Sequence, residues 1–324
     1  MAGSVGAPRV TLVGCGRWGR HILRDLVALG CDVAVVDPDE AARDYALGHG
    51  AASASAKLAD AGECDGVIVA TPAGNHAGAI DAALARHVPI FCEKPLALDA
   101  GQAAALAVRA EGRLFVMDKW RYHPGVEALR DLVRSGELGD VVGLRTTRIG
   151  AAPPQVDTDP IWTLATHDLS IALEILGDIP EPRMAVADFA GGKPVGMTAL
   201  LGQRPWFALE VSGFSAVERR EVRVSGSTSV AVLPDAYSDH LVVLSPPATA
   251  SAAPRRRTLP ISAEQPLLRE LRVFVEHLGG GAAPRSSAAE GARIAATVAR
   301  LRQMAGIDDA IHGSPHGGHD GAHS

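Results

Sequence analysis

The chain has 324 residues, enough for two cores, and its 47% hydrophobic and 21% charged content is ordinary for a globular enzyme. A formal charge of −6 sets nucleic-acid binding aside, because that function wants a basic stripe. No apolar run approaches the roughly 18 residues of a membrane span, and residues 1–8 lack the charged start and apolar core of a signal peptide, so a soluble cytoplasmic protein with no membrane partner is expected.

Up to residue 117, short apolar runs alternate with helical patterns. Strands are expected at 9–13, 32–36, 66–70, 89–92 and 114–117. Helices are expected from the glycine run at 14–19 through 29, and then at 39–47, 75–86 and 99–111. Strands alternating with helices of this length imply a parallel sheet covered on both faces, and right-handed crossovers leave the doubly wound topology. The pattern changes after residue 121. A helix at 124–135, a strand at 141–149, a proline-rich loop at 151–160 and a helix at 166–176 ending at Gly177 come first. Extended runs at 183–189, 195–201, 207–214, 221–226, 229–233 and 241–245 follow, broken by Gly, Pro, Asp and Ser in the manner of antiparallel hairpins. Two helices at 267–278 and 288–304 flank the glycines at 279–281. The fold class is therefore α/β: a Rossmann doubly wound parallel sheet over 1–120, then an α+β domain with a mostly antiparallel open sheet over 121–306. The last helix is expected to pack back on the first domain.

The tail at 307–324 is Gly/His-rich and reads as disordered; His312, His316, His319 and His323 have no fixed geometry, and no metal is expected there. Cys15, Cys31, Cys64 and Cys92 lack the paired spacing of a zinc site and read as reduced packing thiols.

Gly14-Cys15-Gly16-Arg17-Trp18-Gly19 is a G-x-G-x-x-G loop that follows the first strand directly and opens the first helix. Gly14 allows a tight turn, Gly16 lets the backbone approach a pyrophosphate, and Gly19 lets the helix lie close to the sheet. Free N–H groups at the helix start then face the phosphates. The second strand runs into Asp37, where a carboxylate accepts hydrogen bonds from the adenosine ribose and repels a 2′-phosphate, so NAD is favoured over NADP. Arg43 is the reservation, since an arginine there would suit a 2′-phosphate; its plainer reading is a solvated helix face.

Glu93-Lys94-Pro95 after one strand, Thr71-Pro72 after another, His76 and the glycine loop together resemble the glucose–fructose oxidoreductase/inositol dehydrogenase family (Gfo/Idh/MocA). Lys119-Trp120-Arg121-Tyr122-His123-Pro124 is similar to that family's crossing into the second domain. Trp162-Thr163-Leu164-Ala165-Thr166-His167-Asp168-Leu169-Ser170-Ile171 is similar to its catalytic segment. The likeness runs over residues 9–306.

The resemblance implies an NAD(H)-dependent oxidoreductase that moves hydride between nicotinamide and a secondary alcohol or ketone of a sugar-like substrate. The last motif is most similar to members acting on nucleotide-linked amino sugars and uronic acids; a free sugar or a cyclitol stays open. Lys94 and His167 are implied as the catalytic pair. Arg17, Trp18, Thr71, Pro72, His76, Glu93 and Lys94 are implied at the cofactor, and Lys94, Arg121, Tyr122, Thr163 and His167 at the substrate. A homodimer or homotetramer through the antiparallel sheet is implied as well. Chemistry supports the pair: a lysine desolvated at the C-terminal end of a parallel strand has a lowered pKa, and a neutral imidazole suits proton removal.

The chain departs from the family at one point. An Asp usually stands four residues before the histidine; here that position is Thr163, which supplies no negative charge to an imidazolium. Asp168 is adjacent in sequence, but neighbours on a helix do not share a face. The departure motivates two other readings, a cofactor-binding regulatory or scaffold protein with weakened catalysis, and a same-fold reductase of an imine or another carbonyl.

Overall fold

The computed structural model describes residues 6–110, 112–151, 158–247 and 253–307. Most of the expected proline-rich loop and the whole histidine tail lie outside the described residues.

The first sheet is built from β1 (Arg9–Val13), β2 (Asp32–Val36), β3 (Ser53–Ser55), β4 (Gly66–Val69), β5 (Ile90–Glu93) and β6 (Leu114–Met117). All of its pairings are parallel, in the order β3-β2-β1-β4-β5-β6. Every residue of β4, β5 and β6 is buried, as expected of strands covered on both faces. The covering helices are α1 (Arg17–Ala28), α2 (Glu40–Gly48), α3 (His76–Leu84) and α4 (Ala100–Arg109). The chain moves outward from β1 in one direction and returns through β4 in the other, so a crevice opens at the C-terminal ends of these two neighbours.

A 3₁₀ turn over Lys119–Tyr122 leads to α5 (Pro124–Arg134) and the second sheet. Its strands are β7 (Val141–Ala151), β8 (Pro182–Ala190), β9 (Lys193–Gly202), β10 (Trp206–Ser212), β11 (Phe214–Gly226), β12 (Val230–Leu233), β13 (His240–Ser245) and β14 (Arg255–Pro260). The order is β14-β13-β12-β11-β7-β10-β9-β8, antiparallel except for the β7–β10 pair. Helix α6 (Pro160–Leu176) lies against this sheet and is buried along most of its length.

Two strands escape a pattern reading, both at sheet edges. β3 is three small residues with no apolar alternation, and β14 opens with three arginines, the charge that edge strands carry against unwanted pairing. The run expected at 207–214 is two strands that part at Gly213, and β11 absorbs the strand expected at 221–226. Helix α6 starts at Pro160, six residues earlier than expected. Asp159 caps it by accepting from the N–H groups of Ile161 and Trp162, and Pro160 sits at the first turn, where its missing N–H costs nothing.

The last two helices return to the first sheet. α7 (Pro266–Leu278) places Leu267, Leu271 and Phe274 in one core with Leu12, Leu23 and Phe91, with the Phe91 and Phe274 rings stacked at 4.9 Å. α8 (Ala288–Met304) begins with a capping box between Ser287 and Glu290. It approaches β6 so closely that a Cβ at Gly291 would lie 2.6 Å from Val116 Cγ2.

Candidate active site

The glycine loop turns at the C-terminal end of β1. Gly14 has φ +97° and its N–H donates to the Val36 carbonyl at 2.8 Å; a Cβ there would lie 2.6 Å from the Ala70 carbonyl oxygen. A Cβ at Gly19 would lie 2.1 Å from the Gly14 carbonyl oxygen, so both positions require glycine for space. Gly16 faces open space. Helix α1 starts there with no side-chain cap and no acid in its first turn, which leaves its N–H groups free for an anion. Asp37 braces the loop: one carboxylate oxygen accepts from Cys15 N at 2.7 Å and the other from Asp39 N at 2.9 Å. A carboxylate has about four acceptor positions, so capacity remains for a ribose diol. Arg43 donates to the carbonyls of Asp37 and Pro38 at 2.9 and 2.8 Å and thereby holds the β2–α2 turn. Thr71 Oγ1, at the end of β4, is buried with no partner among the described residues. Open backbone at Gly16, an uncapped helix start and an acid at Asp37 fit a dinucleotide.

Lys94 leaves the end of β5, and its peptide to Pro95 is cis. Its Nζ donates to the Thr163 carbonyl at 3.0 Å, reaching across from the first sheet to α6. Burial, with Lys119 and Arg148 nearby, pulls its pKa down to about 8 against the opposing pull of Glu93. Burial also pushes the Glu93 carboxyl up to about 7, and Glu93 accepts from the Lys94 N–H at 3.2 Å. His167 follows Thr163 by one turn of α6. Its pKa lies well below the ordinary value, first through burial and then through the charges of Lys94, Arg148, Lys119 and Arg220. Its Nδ1 is buried with no partner among the described residues, which adds to the cost of an imidazolium there. Lys119 stands 4.2 Å over the ring of Trp18 and joins the glycine loop to the crossing segment.

Residues 8–116 match a family model, Gfo/Idh/MocA, described as an oxidoreductase family with an NAD-binding Rossmann fold. The match is confined to the N-terminal domain, about a third of the chain. Rhizopine catabolism protein MocA of Rhizobium meliloti is 35% identical over 156 residues, 45% of this chain and 48% of that one. Myo-inositol dehydrogenase Hyg17 of Streptomyces leeuwenhoekii is 36% identical over 181 residues, 52% of this chain and 55% of that one. The chain thus spans about half the length of the curated relatives it matches. The solved UDP-N-acetylglucosamine 3-dehydrogenase GnnA from Acidithiobacillus ferrooxidans shares the fold at a TM-score of 0.81, covering 93% of this chain and 99% of that one at 23% identity.

The other motif residues are held by contacts of their own. Arg121 and Tyr122, expected at the substrate, are buried in scaffold. The Arg121 guanidinium pairs with Glu174 and Glu290, each at 3.0 Å, and the Tyr122 hydroxyl accepts from Arg285 N at 2.8 Å. Arg121 also donates to the Arg285 carbonyl at 3.1 Å, so both side chains are held by α6, the start of α8 and the segment just before α8. His76 is a clamp, with its ring nitrogens 2.7 Å from the Pro95 carbonyl and 3.0 Å from the Thr71 carbonyl, so it ties the Lys94-Pro95 turn to the end of β4. Pro72 is exposed at the start of a 3₁₀ turn, and Arg17 is exposed beside the glycine loop. The Thr163 hydroxyl bonds back to the Pro160 carbonyl at 3.1 Å, so only the Thr163 backbone addresses Lys94. Asp168 turns to Arg148, with N–O distances of 3.2 and 3.1 Å, and away from His167. Sequence reasoning missed Arg148 and Arg220. Strand alternation in β7 was the available signal, because Arg148 shares a face with the buried Leu144 and Thr146.

Proposed function

We propose that the protein is an NAD(H)-dependent oxidoreductase that transfers hydride between nicotinamide and a secondary alcohol or ketone of a sugar-like substrate. The observation that carries this reading is the meeting of Lys94, the Thr163 carbonyl and His167 beside the crevice where open α/β sheets bind their ligands. When bound, NAD supplies the hydride acceptor. Gly16 and the start of α1 would hold its pyrophosphate, and Asp37 its adenosine ribose.

Lys94 is the group that exchanges the hydroxyl proton. With a pKa of about 8 it is neutral in about a tenth of molecules at pH 7, against a negligible share for an ordinary lysine. His167 holds the substrate hydroxyl by a hydrogen bond as a neutral ring, since four neighbouring cations oppose its protonation. That weak basicity also favours the second reading, a cofactor-binding protein with reduced turnover.

Fluorescence titration separates these outcomes. NADH is expected to bind much more tightly than NADPH, and Gly16→Val, which meets open space in the protein, is expected to abolish binding while the fold persists. Failure of both cofactors to bind would remove the reading at its base. NADH binding with no NAD+-dependent oxidation of any sugar, cyclitol or sugar nucleotide would favour the regulatory alternative.

The reading includes a homodimer or homotetramer, supported by the outer face of the second sheet, where Met184 and Leu200 are cross-strand partners and both exposed, next to Val186. A monomer in sedimentation at micromolar concentration would exclude it.

A further inference from the structure

Along α1, positions 17, 20, 21 and 24 share one face, because residues three and four apart are neighbours on a helix. They are Arg17, Arg20, His21 and Arg24, a cationic stripe about 10 Å long at 1.5 Å of rise per residue. A groove of about 760 Å³ is lined by this stripe and by Tyr45 and His49 at the end of α2. The chain has more acids than bases, 37 against 31, yet among the described residues no carboxylate lines this groove.

The start of a helix is the positive end of its dipole, where acids are favoured and cations cost energy, and the first turn of α1 holds no acid. A dinucleotide pyrophosphate at Gly16 would answer Arg17, but Arg24 stands about two turns further along the helix. Arg20 has no ion-pair partner among the described residues; its guanidinium carbon lies 4.0 Å from the centre of the Tyr45 ring. The His49 ring is stacked on the same Tyr45 at 3.8 Å and 14°. Two groups so close to one ring centre occupy opposite faces, so Tyr45 is clamped and Arg20 is held in place before any ligand arrives. Arg24 meets the buried Asp25 through Nε alone, at 2.7 Å, and neither of its Nη groups has an acceptor among the described residues. His21 stands edge-on to Trp18 at 5.3 Å, so the groove begins beside the glycine loop.

We propose that this groove is a second anion site, distinct from the dinucleotide crevice, that binds a chain of linked phosphates, whether the triphosphate of a nucleotide or an inorganic polyphosphate. Guanidinium N–H groups form paired, charge-assisted bonds to phosphate oxygens. A single phosphate is shorter than the stripe. In an extended acidic peptide successive side chains point to opposite faces, so only every second carboxylate would reach it. Linked phosphates put charge beside each arginine within a volume that suits a small ligand. The site is independent of the dehydrogenase reading, since it uses neither Lys94 nor His167.

The test is isothermal titration of the full chain, with and without saturating NADH, using sodium tripolyphosphate, ATP, sodium sulfate and hexaglutamate. Tripolyphosphate and ATP are expected to bind the NADH-loaded chain at one site, at least about tenfold more tightly than sulfate or hexaglutamate. Tighter binding of ATP would identify the nucleotide as the source, and equal or tighter binding of tripolyphosphate the phosphate chain alone. Arg20→Gln combined with Arg24→Gln, both at exposed positions, is expected to lower that affinity about 10–100-fold and to leave NADH affinity unchanged. Arg20→Gln alone, which keeps the Arg24–Asp25 pair, is expected to lose a smaller part and guards against a fold defect in the double variant. Loss of tripolyphosphate binding once NADH is present would place the anion in the dinucleotide crevice and overturn the proposal. So would no binding of either phosphate compound, sulfate or hexaglutamate binding as tightly, or full affinity retained in either variant. Failure of NADH to bind would count against the dehydrogenase reading alone, because the titration without it still compares the wild-type and variant chains.

Discussion

Replacing Lys94 by methionine is expected to lower kcat by about 10²–10⁴-fold, the usual contribution of a positioned acid–base group. The fold should survive, since methionine fills a similar length and removes a charge that burial disfavours. The pH profile of the wild-type protein provides a second readout. Burial lowers the lysine pKa to about 8, so below that pH the side chain is an ammonium with no free pair to accept the hydroxyl proton. Alcohol oxidation is therefore expected to rise with pH through about 8 and then level off. Ketone reduction, which needs the ammonium as donor, is expected to fall over the same range. A loss of less than about tenfold in Lys94→Met, or oxidation that is flat between pH 7 and 9, would show that the proton goes elsewhere.

Arg148→Ala is expected to destabilise the protein by about 3–5 kcal/mol, because it strands the Asp168 carboxylate in the core. Asp168 is fully buried and its ion-pair partner is Arg148; burial already pushes its pKa upward, and the arginine opposes that shift. Asp168→Leu should cost a comparable amount by leaving the guanidinium unpaired. Arg148→Met combined with Asp168→Leu should recover most of the loss, since an apolar pair of similar volume often matches a buried ion pair. Urea unfolding of the two single variants and the double variant measures this. Additive losses in the double variant, or a single-variant loss below about 1 kcal/mol, would show that the pair is not what keeps these charges in the core.

What was legible in the sequence was what local chemistry dictates. β1, β2 and β6 carry apolar runs bounded by turn residues, and they form over the residues that the pattern marks out. The glycine loop needs its glycines for reasons internal to a strand–turn–helix unit, and the contacts at Gly14 and Gly19 are of that kind. β3 and β14 were illegible because edge strands follow no hydrophobic period. The early start of α6 rested on Asp159 and Pro160, a capping signal masked by the prolines around it.

The site was legible only in part. Lys94 and His167 stood out by family resemblance, yet their meeting spans 69 residues between Lys94 and the Thr163 carbonyl. Arg121 and Tyr122, in the crossing segment, are taken up by Glu174 and Arg285, because a run of neighbouring residues does not state which of them the converging helices will bury. By itself, then, the sequence determined the strand–helix alternation that makes a parallel sheet, together with the cofactor loop and the acid at Asp37, which backbone preferences set within about twenty residues of each other. Only the tertiary structure decided that His167 would lie among four cations, that Asp168 would serve Arg148, and that Arg148 would face Arg220. Those outcomes follow from strand register and helix packing, in which burial and charge depend on elements far apart in the chain.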